Sequence, residues 1–304
     1  MKKILVLGCN GFIGSHLIEY LKKRNTNVVG VCRGKHGNTM FVDITSFEST
    51  FSLISKVLPE IIINATGVIK AETPEIFYKV HCLGSVNLFE SILKISNYTP
   101  KIFIIGSAAE YGFVEPSDLP VKETQPLNPV NDYAISKASQ TFKALSYFKK
   151  GLDIYIGRPF NGVGSRLSDS LVLSSFARQI AEIEAGKKKP VISVGNLAAK
   201  RDFINIFDLV TAIWIIIEKG GKGEIYNICS GHSQSVGDLL DMMLHLSRTA
   251  VEIQIDPGKI KTADIPDIYG DYGKLQKDTG WFPVVPVEES IKEMLEYWRK
   301  RCII

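Results

Sequence analysis

The sequence predicts an α/β fold, with a doubly wound parallel sheet and a smaller, mostly helical second domain. Two features predict the sheet. Short apolar runs bounded by glycine alternate with longer amphipathic stretches, as strands and helices alternate in βαβ units. A glycine-rich turn also follows the first apolar run directly. With 304 residues, 45% of them hydrophobic, the chain can fill one large core or two small ones.

The composition excludes several classes of function. The net charge of +4 comes from 36 basic and 32 acidic residues, and this near balance predicts neither nucleic-acid binding nor attachment to a membrane. The five cysteines include no closely spaced pair and the five histidines show no ligand spacing, so we expect no metal site. An odd cysteine count is typical of a reducing compartment. We therefore expect a cytoplasmic protein.

The first βαβ unit contains the glycine-rich turn. An apolar strand at 3–7 is followed by a helix at 15–23 and by a second strand at 27–32. Glycines at this turn let backbone N–H groups approach a pyrophosphate and let the helix pack closely on the sheet. The pattern therefore predicts a Rossmann-type dinucleotide site built from Gly8, Gly11, Phe12, Ile13 and Gly14.

The end of the second strand indicates which dinucleotide binds. An acidic residue there would bind the ribose 2′-hydroxyl of NAD, but the strand ends at Cys32 and Arg33. A guanidinium holds a 2′-phosphate well, so NADP is favoured over NAD, which stays the alternative. Arg33 could also be an ordinary solvated side chain, and Lys35 could take either role.

Tyr133 and Lys137 form the candidate catalytic pair. They follow a proline-containing loop, at the start of a helix that Asn131 or Asp132 can cap. Their spacing of four residues places both side chains on one helix face. An ammonium beside the phenol is expected to lower the phenol's pKa, which suits proton exchange with a carbonyl or an alcohol.

Together, the G-x-x-G-x-x-G turn and the Tyr133-x-x-x-Lys137 pair resemble the extended short-chain dehydrogenase/reductase family, and the resemblance spans nearly the whole chain. It implies that Ser107, in the segment 106–112, is catalytic together with Tyr133 and Lys137. It further implies that Lys137 also holds the nicotinamide ribose and that Asp43 binds the adenine. The remaining cofactor contacts that it implies are Ile44, Ala65, Gly67, His81 and Phe160, although His81, which replaces the family's asparagine, could be simply a packed helix residue.

The same resemblance implies a substrate site for a nucleotide sugar. In the family, the residues matching Asn161 and Arg201 contact the sugar or its phosphates, and those matching Lys261 and Asp264 clamp phosphate and ribose. Dehydratases of this family carry an acid two residues after the catalytic Ser or Thr. Here Ala108 and Ala109 follow Ser107, and a methyl group cannot transfer protons, so dehydration is not expected.

Four segments resemble the GDP-4-keto-6-deoxy-D-mannose reductases of this family most closely: 106–112, 176–182, 194–196 and 226–231. This likeness implies NADPH-dependent reduction of a C4 keto group in deoxysugar biosynthesis. An NAD-dependent 4-epimerase with the same catalytic residues is the enzymatic alternative. A binding or regulatory protein without turnover is the other alternative, although such proteins usually lose the Tyr or the Lys.

The resemblance also implies a domain organisation and an assembly. Residues 1–160 and 205–232 would form the dinucleotide domain, and residues 161–204 and 233–304 the sugar-nucleotide domain. We expect a homodimer through a four-helix bundle made by the helix after Gly84 and the helix that carries Tyr133. The apolar residues expected to take part are Val86, Phe89, Leu93, Phe142 and Leu145.

Overall fold

The computed structural model describes residues 2–34, 40–259 and 265–302. Within them the strands are, in chain order, β1 (Lys3–Leu7), β2 (Asn27–Cys32), β3 (Met40–Phe41), β4 (Ile61–Asn64), β5 (Lys101–Ile105), β6 (Asp153–Pro159), β7 (Asn161–Val163), β8 (Val191–Val194), β9 (Lys200–Asn205), β10 (Ile225–Ile228), β11 (Ser233–Ser235), β12 (Glu252–Ile255) and β13 (Asp267–Ile268).

The helices of the same residues are α1 (Phe12–Lys23), α2 (Phe47–Val57), α3 (Pro74–Phe77), α4 (Gly84–Leu93), α5 (Asp132–Phe148), α6 (Val172–Glu184), α7 (Ile206–Lys219), α8 (Val236–His245), α9 (Gly273–Thr279) and α10 (Val287–Cys302). A π-helical segment, Tyr78–Leu83, joins α3 to α4, and a 3-10 helix at Ala108–Tyr111 follows β5. None of the helices in this part of the chain has the length and hydropathy that crossing a bilayer requires.

Seven parallel strands form the central sheet, in the order β3-β2-β1-β4-β5-β6-β10. The chain leaves β1 toward one edge through β2 and β3, and then builds the other half outward from β4. The switch between β1 and β4 opens a crevice at the carboxyl ends of these strands, where doubly wound sheets bind ligands. The predicted α/β fold and the predicted strands at 3–7 and 27–32 are confirmed.

Hydrophobic cores cover both faces of the sheet. On one face, α1 and α7 pack against the strands, and Leu17, Ile213 and Phe103 are fully buried there. On the other face, α2, α4 and α5 contribute residues such as Ile54 and Phe89. Because both faces are covered, the strands are apolar on both sides, which is why they read as continuous hydrophobic runs.

A second region is built around α6, α8 and α10. These helices pack on one another through a shared core that includes Phe176, Leu239 and Met294. Two small sheets accompany these helices: β7, β11 and β13 pair with β9, and β12 pairs with β8. These strands, of two to six residues, show too little periodicity to be predicted from the sequence. Leu275 of α9 and Trp281 belong to the core of the central sheet. The predicted division assigns both residues to the sugar-nucleotide domain, so their contacts cross the predicted domain boundary.

The helices expected to form the dimer interface present a partly apolar surface. Phe142 on α5 is 61% exposed and Leu93 on α4 is 43% exposed. Phe89 is fully buried instead, with its ring 4.9 Å from that of Tyr147, so its assignment to an intermolecular face is wrong. Val86 and Leu145 are half-buried against the same core.

The first turn of α1 packs on the glycine-rich turn so closely that only glycine fits at position 14. A Cβ on Gly14 would lie 2.1 Å from the carbonyl oxygen of Gly8. Because that neighbour is backbone, we expect Gly14→Ala to lower the free energy of unfolding by about 2–4 kcal/mol, measured by urea denaturation. A matched control is Gly237→Ala in α8, where the nearest atom would be 3.3 Å away and the change should stay within about 1 kcal/mol. Equal losses in both variants would contradict this packing.

Candidate active site

The predicted catalytic residues meet at the carboxyl end of β5. Helix α5 begins where the Asn131 side chain accepts a hydrogen bond from the Ala134 N–H at 2.9 Å, which confirms the predicted cap. One turn further on, Lys137 donates from Nζ to the carbonyl oxygen of Ile105, the last residue of β5, at 2.6 Å. Ser107 follows this strand end by two residues. The start of α5 is therefore fixed against the end of β5.

Two aromatic rings fix the direction of the Tyr133 side chain. The ring of Phe77 lies edge-on to it, with centroids 6.1 Å apart, and the ring of His81 lies edge-on at 5.7 Å. Both rings come from the α3–π-helix segment, which packs directly on α5. A π-turn within a helix is frequent at functional sites, and here it directs His81 toward Tyr133.

The surroundings of Tyr133 differ from the expectation. Burial raises the pKa of the phenol above its ordinary value; a hydrogen bond with Ser107 opposes this rise, and the charge of Glu110 adds to it. The predicted lowering by Lys137 is wrong for this structure, because the ammonium of Lys137 is directed to Ile105 and Gln140. The phenol is therefore held as a proton donor at neutral pH.

Lys137 is a nearly fully buried cation. Only 4% of it is exposed, and its Nζ donates a second hydrogen bond to Gln140 Oε1 at 2.8 Å. Burial lowers the pKa of Lys137 to about 8, and the charge of Glu110 acts in the opposite direction. Lys137 is therefore still mostly charged at neutral pH, and its pKa is perturbed as the pKa values of groups at functional sites often are.

Ser107 is held by a capping box. Its N–H donates to Glu110 Oε1 at 2.8 Å, and its Oγ accepts from the Ala109 N–H at 3.2 Å. With an N–H already donating to the oxygen, the hydroxyl hydrogen stays available to a substrate oxygen or to Tyr133. The S-x-x-E spacing of Ser107 and Glu110 is the sequence signal for this motif.

Glu110 is the nearest acid after Ser107, and it is engaged elsewhere. Its Oε2 accepts from Arg158 Nε at 2.9 Å, and both side chains are almost fully buried. Arg158 also donates to the hydroxyl of Tyr111, which in turn donates to Asn227. Because the Glu110 carboxylate is enclosed by this network, it cannot act on a substrate as the acid of a dehydratase.

The glycine-rich turn fits a dinucleotide. Gly8 has φ of 78°, and a Cβ there would lie 2.6 Å from the carbonyl oxygen of Ala65. The cap residue of α1, Gly11, has no side chain to occupy the first N–H groups, which belong to Phe12, Ile13 and Gly14, and the first turn holds no acidic residue. A pyrophosphate therefore meets bare backbone donors and a helix N-terminus.

The predicted adenosine contacts lie beside this turn. Arg33 is exposed just beyond β2. Asp43 Oδ1 accepts from the backbone N–H and the hydroxyl of Thr45, so this carboxylate orders its own turn. Ile44 is buried against Gly84 of α4. A Cβ added to Gly84 would lie 2.9 Å from the Ile44 side chain. Lys35 lies outside the described residues.

The loop after β4 contains Ala65 and Gly67 and is tied to His81. The His81 Nε2 accepts from the Val68 N–H at 3.1 Å, which assigns the ring proton to Nδ1, 2.8 Å from Ser136 Oγ. Burial, with a smaller contribution from Lys137, lowers the pKa of His81 to about 3. The histidine is thus neutral and positions this loop. No direct contact to a cofactor is needed to explain it.

The last predicted cofactor contact, Phe160, and the predicted substrate contacts Asn161 and Arg201 all have partners within the chain. Phe160 is 6% exposed and packs against Tyr111 in a small core, and Asn161 donates to the carbonyl of Asp202 at 2.9 Å. Arg201 donates to the carbonyl of Ile265 at 2.6 Å, next to residues that the structure does not describe. Lys261 and Asp264 lie outside the described residues. The roles predicted for these five residues stay predictions.

Sequence comparison identifies relatives along the whole chain. The family described as GDP-mannose 4,6 dehydratase matches residues 5–294. The GDP-6-deoxy-D-mannose reductase of Pseudomonas aeruginosa is 29% identical over 307 residues, which cover 99% of this chain and 98% of the relative. The GDP-6-deoxy-D-talose 4-dehydrogenase of Aggregatibacter actinomycetemcomitans is 30% identical over 90% of each chain.

Solved structures agree with these relatives. RMD from Pseudomonas aeruginosa complexed with NADPH has a TM-score of 0.88 at 28% identity, covering 99% of this chain and 100% of the other. The UDP-glucose 4-epimerase of Thermotoga maritima with UDP-glucose also has a TM-score of 0.88, at 26% identity, covering 98% of this chain and 99% of the other. The chain therefore belongs to the GDP-mannose 4,6-dehydratase family, within the extended short-chain dehydrogenases/reductases, whose members are NAD(P)-dependent enzymes acting on nucleotide sugars.

Proposed function

We propose that this enzyme reduces the C4 keto group of a nucleotide-linked 4-keto-6-deoxyhexose with NADPH. The substrate is GDP-4-keto-6-deoxy-D-mannose, and the product is GDP-D-rhamnose or its C4 epimer, a deoxysugar precursor. The observation that carries the proposal is the convergence of Ser107, Tyr133 and Lys137 at the end of β5, without a free acid beside Ser107. The full-length likeness to a GDP-6-deoxy-D-mannose reductase supports the choice of substrate.

The residues of the site divide the work of a carbonyl reduction. NADPH, when bound, supplies the hydride that adds to C4. The Ser107 hydroxyl donates a hydrogen bond to the keto oxygen, and Tyr133 transfers its phenolic proton to that oxygen as the negative charge develops. Lys137, whose ammonium is held by the Ile105 carbonyl and the Gln140 amide oxygen, would bind the ribose of the nicotinamide.

The family also contains dehydratases, and dehydration is the first reaction to exclude. Eliminating water across C5 and C6 needs a proton-transferring acid close to Ser107. Ala108 and Ala109 supply none, and Glu110 is buried in its ion pair with Arg158. The enzyme therefore acts after the dehydration step, on a sugar that already has a keto group.

Cofactor and substrate contacts complete the proposal. The backbone at Gly8, Gly11, Phe12, Ile13 and Gly14 holds the pyrophosphate of NADPH, Arg33 its 2′-phosphate, and Asp43 with Ile44 its adenine. Ala65, Gly67 and Phe160 border the rest of the dinucleotide, and Lys261 with Asp264 clamps the guanosine diphosphate. Asn161 and Arg201 contact the sugar and its phosphates. NAD is the less favoured cofactor, since no acid follows β2.

A 4-epimerase is the second candidate, because a UDP-glucose 4-epimerase shares this fold over nearly its whole length. An epimerase oxidises and re-reduces the same carbon, so it keeps its NAD tightly bound through purification. A reductase exchanges NADP at each turnover. Stoichiometric NAD released on denaturing the purified protein would favour the epimerase.

The test of the function is a product assay. Incubation with NADPH and GDP-4-keto-6-deoxy-D-mannose should consume both in equal amounts, and NMR should identify a GDP-6-deoxyhexose with a C4 hydroxyl.

Tyr133→Phe should reduce turnover by about 10²- to 10⁴-fold while NADPH still binds, since only the transferable proton is lost. Tyr147→Phe, on the same helix, is the matched control and should keep most activity. Near-normal turnover in Tyr133→Phe would remove this residue from the mechanism.

Cofactor choice is tested separately at Arg33. Loss of a charge-assisted contact to the 2′-phosphate should weaken NADPH binding to Arg33→Ala by about 1.5–3 kcal/mol and leave NADH nearly unchanged, measured by fluorescence titration. Lys22→Ala at the far end of α1 changes the net charge equally and should affect neither cofactor. If NADPH and NADH weakened equally in Arg33→Ala, Arg33 would not recognise the phosphate.

The proposed homodimer rests on the exposed apolar residues of α4 and α5. Phe142 is 61% exposed, and a twofold axis would pair it with its own helix in the partner. Light scattering should return twice 33.7 kDa for the native protein, and Phe142→Asp should return a single chain. Phe282→Asp is the control, since Phe282 is also exposed but lies outside these helices. A native protein of one chain's mass at micromolar concentration would defeat the proposal.

A further inference from the structure

A buried chain of hydrogen bonds starts at Lys137 and leaves the site through Gln140. Gln140 lies one turn after Lys137 on α5, and its Oε1 accepts from Lys137 Nζ at 2.8 Å. The other end of the same amide, Nε2, donates to Ser85 Oγ at 2.8 Å. Gln140 and Ser85 have no exposed surface. The chain thus connects the ammonium with the start of α4.

Ser85 fixes which way the Gln140 amide points. The Ser85 hydroxyl donates to the carbonyl oxygen of His81 at 2.8 Å, so its oxygen is left to accept. Asn64 Nδ2 also approaches this oxygen, at 3.3 Å. A flipped amide would turn the Gln140 oxygen toward Ser85 and its NH₂ toward an ammonium that can only donate. The observed orientation is the one that satisfies both neighbours.

Gln140 is also the side chain that compensates most directly for the burial of Lys137. Removing an ammonium from water is costly unless hydrogen-bond acceptors replace the water. Among the described residues, Lys137 Nζ donates to two acceptors: the Ile105 carbonyl oxygen, which the strand holds in place, and the Gln140 amide oxygen. The second is the one that a substitution can remove.

The charged and titratable groups around Lys137 are few. Glu110, from the 3-10 helix, raises the pKa of Lys137 through its charge, and burial lowers this pKa to about 8. His81, from the π-helix, is neutral. Tyr133, on α5 itself, is protonated. A change at Gln140 therefore acts on an ammonium with little other support.

We propose that Gln140 is a positioning residue of this enzyme: its amide oxygen holds the Lys137 ammonium in place and keeps it charged, and its amide NH₂ anchors that contact to Ser85. The proposal rests on the proposed function for its catalytic consequence only. Gln140 acts through Lys137 and touches neither cofactor nor substrate.

The test titrates Lys137 directly. Protein labelled with ¹³Cε,¹⁵Nζ-lysine is titrated by NMR between pH 6 and 11, and the Lys137 signal is assigned by its loss in Lys137→Met. Gln140→Met removes the acceptor at similar volume and should lower the Lys137 pKa by about one unit or more. Gln140→Glu should raise this pKa, because a carboxylate favours the charged form. Gln179→Met on α6 is the matched control and should leave the titration unchanged.

Opposite shifts of the Lys137 pKa in Gln140→Met and Gln140→Glu support the proposal. If Gln140 had a merely structural role, the Lys137 pKa would not depend on the charge of the side chain at position 140. Unchanged pKa values, or shifts in the same direction, overturn it, and either variant alone is informative if the other does not fold. This titration needs no substrate, so a failed reductase assay would not affect it. Where the reductase assay succeeds, the alkaline limb of kcat should move to lower pH in Gln140→Met and to higher pH in Gln140→Glu. Limbs that do not follow the titrations would overturn the catalytic part.

Discussion

The hydrogen bond from Lys137 to the carbonyl oxygen of Ile105 is the contact on which the geometry of the site depends. The buried carbonyl at this strand end needs a donor, and a buried ammonium needs an acceptor. By satisfying both groups, this bond fixes the start of α5 against the end of β5. Tyr133, one turn earlier, then faces Ser107, two residues beyond the strand. Ser107, Tyr133 and Lys137 come from two distant segments of the chain. They meet because the Lys137 side chain ties α5 to the carbonyl group at the end of β5.

Burying one charge makes the surrounding polar groups dependent on one another. Glu110 supports Lys137 through its charge, and its own burial is offset by Arg158 and by the Ser107 N–H. Gln140, Ser85 and Asn64 extend the network to β4 on the other side. Groups in such a network lose more when one member is removed than any pair would suggest, because the remaining members stay buried without partners. This interdependence accounts for a long polar chain in an otherwise apolar core.

Much of the fold could be predicted from the sequence, and less of the site. The strands at 3–7 and 27–32 are largely apolar runs on either side of the glycine-rich turn and its helix, and the spacing of Tyr133 and Lys137 places both on one helix face whatever surrounds the helix. The direction of the Lys137 ammonium could not be predicted, since it depends on which acceptors the folded core leaves open. The expected effect of Lys137 on the pKa of Tyr133 was wrong for that reason. The burial of Phe89 and the π-helical turn at His81 likewise follow from packing between helices that are distant in the sequence.

Within this fold, the presence of a free carboxyl group beside the catalytic hydroxyl distinguishes a dehydratase from a carbonyl reductase. A free acid beside the catalytic hydroxyl would transfer a proton during the loss of water across C5 and C6 of a sugar already oxidised at C4. In this chain the two residues after Ser107 are alanines, and the next acid is withdrawn into a capping box and an ion pair with Arg158. Glu110 thus contributes to the position of Ser107 and takes no part in elimination. The same scaffold is left with hydride addition and one proton transfer, which is the chemistry that consumes a keto sugar.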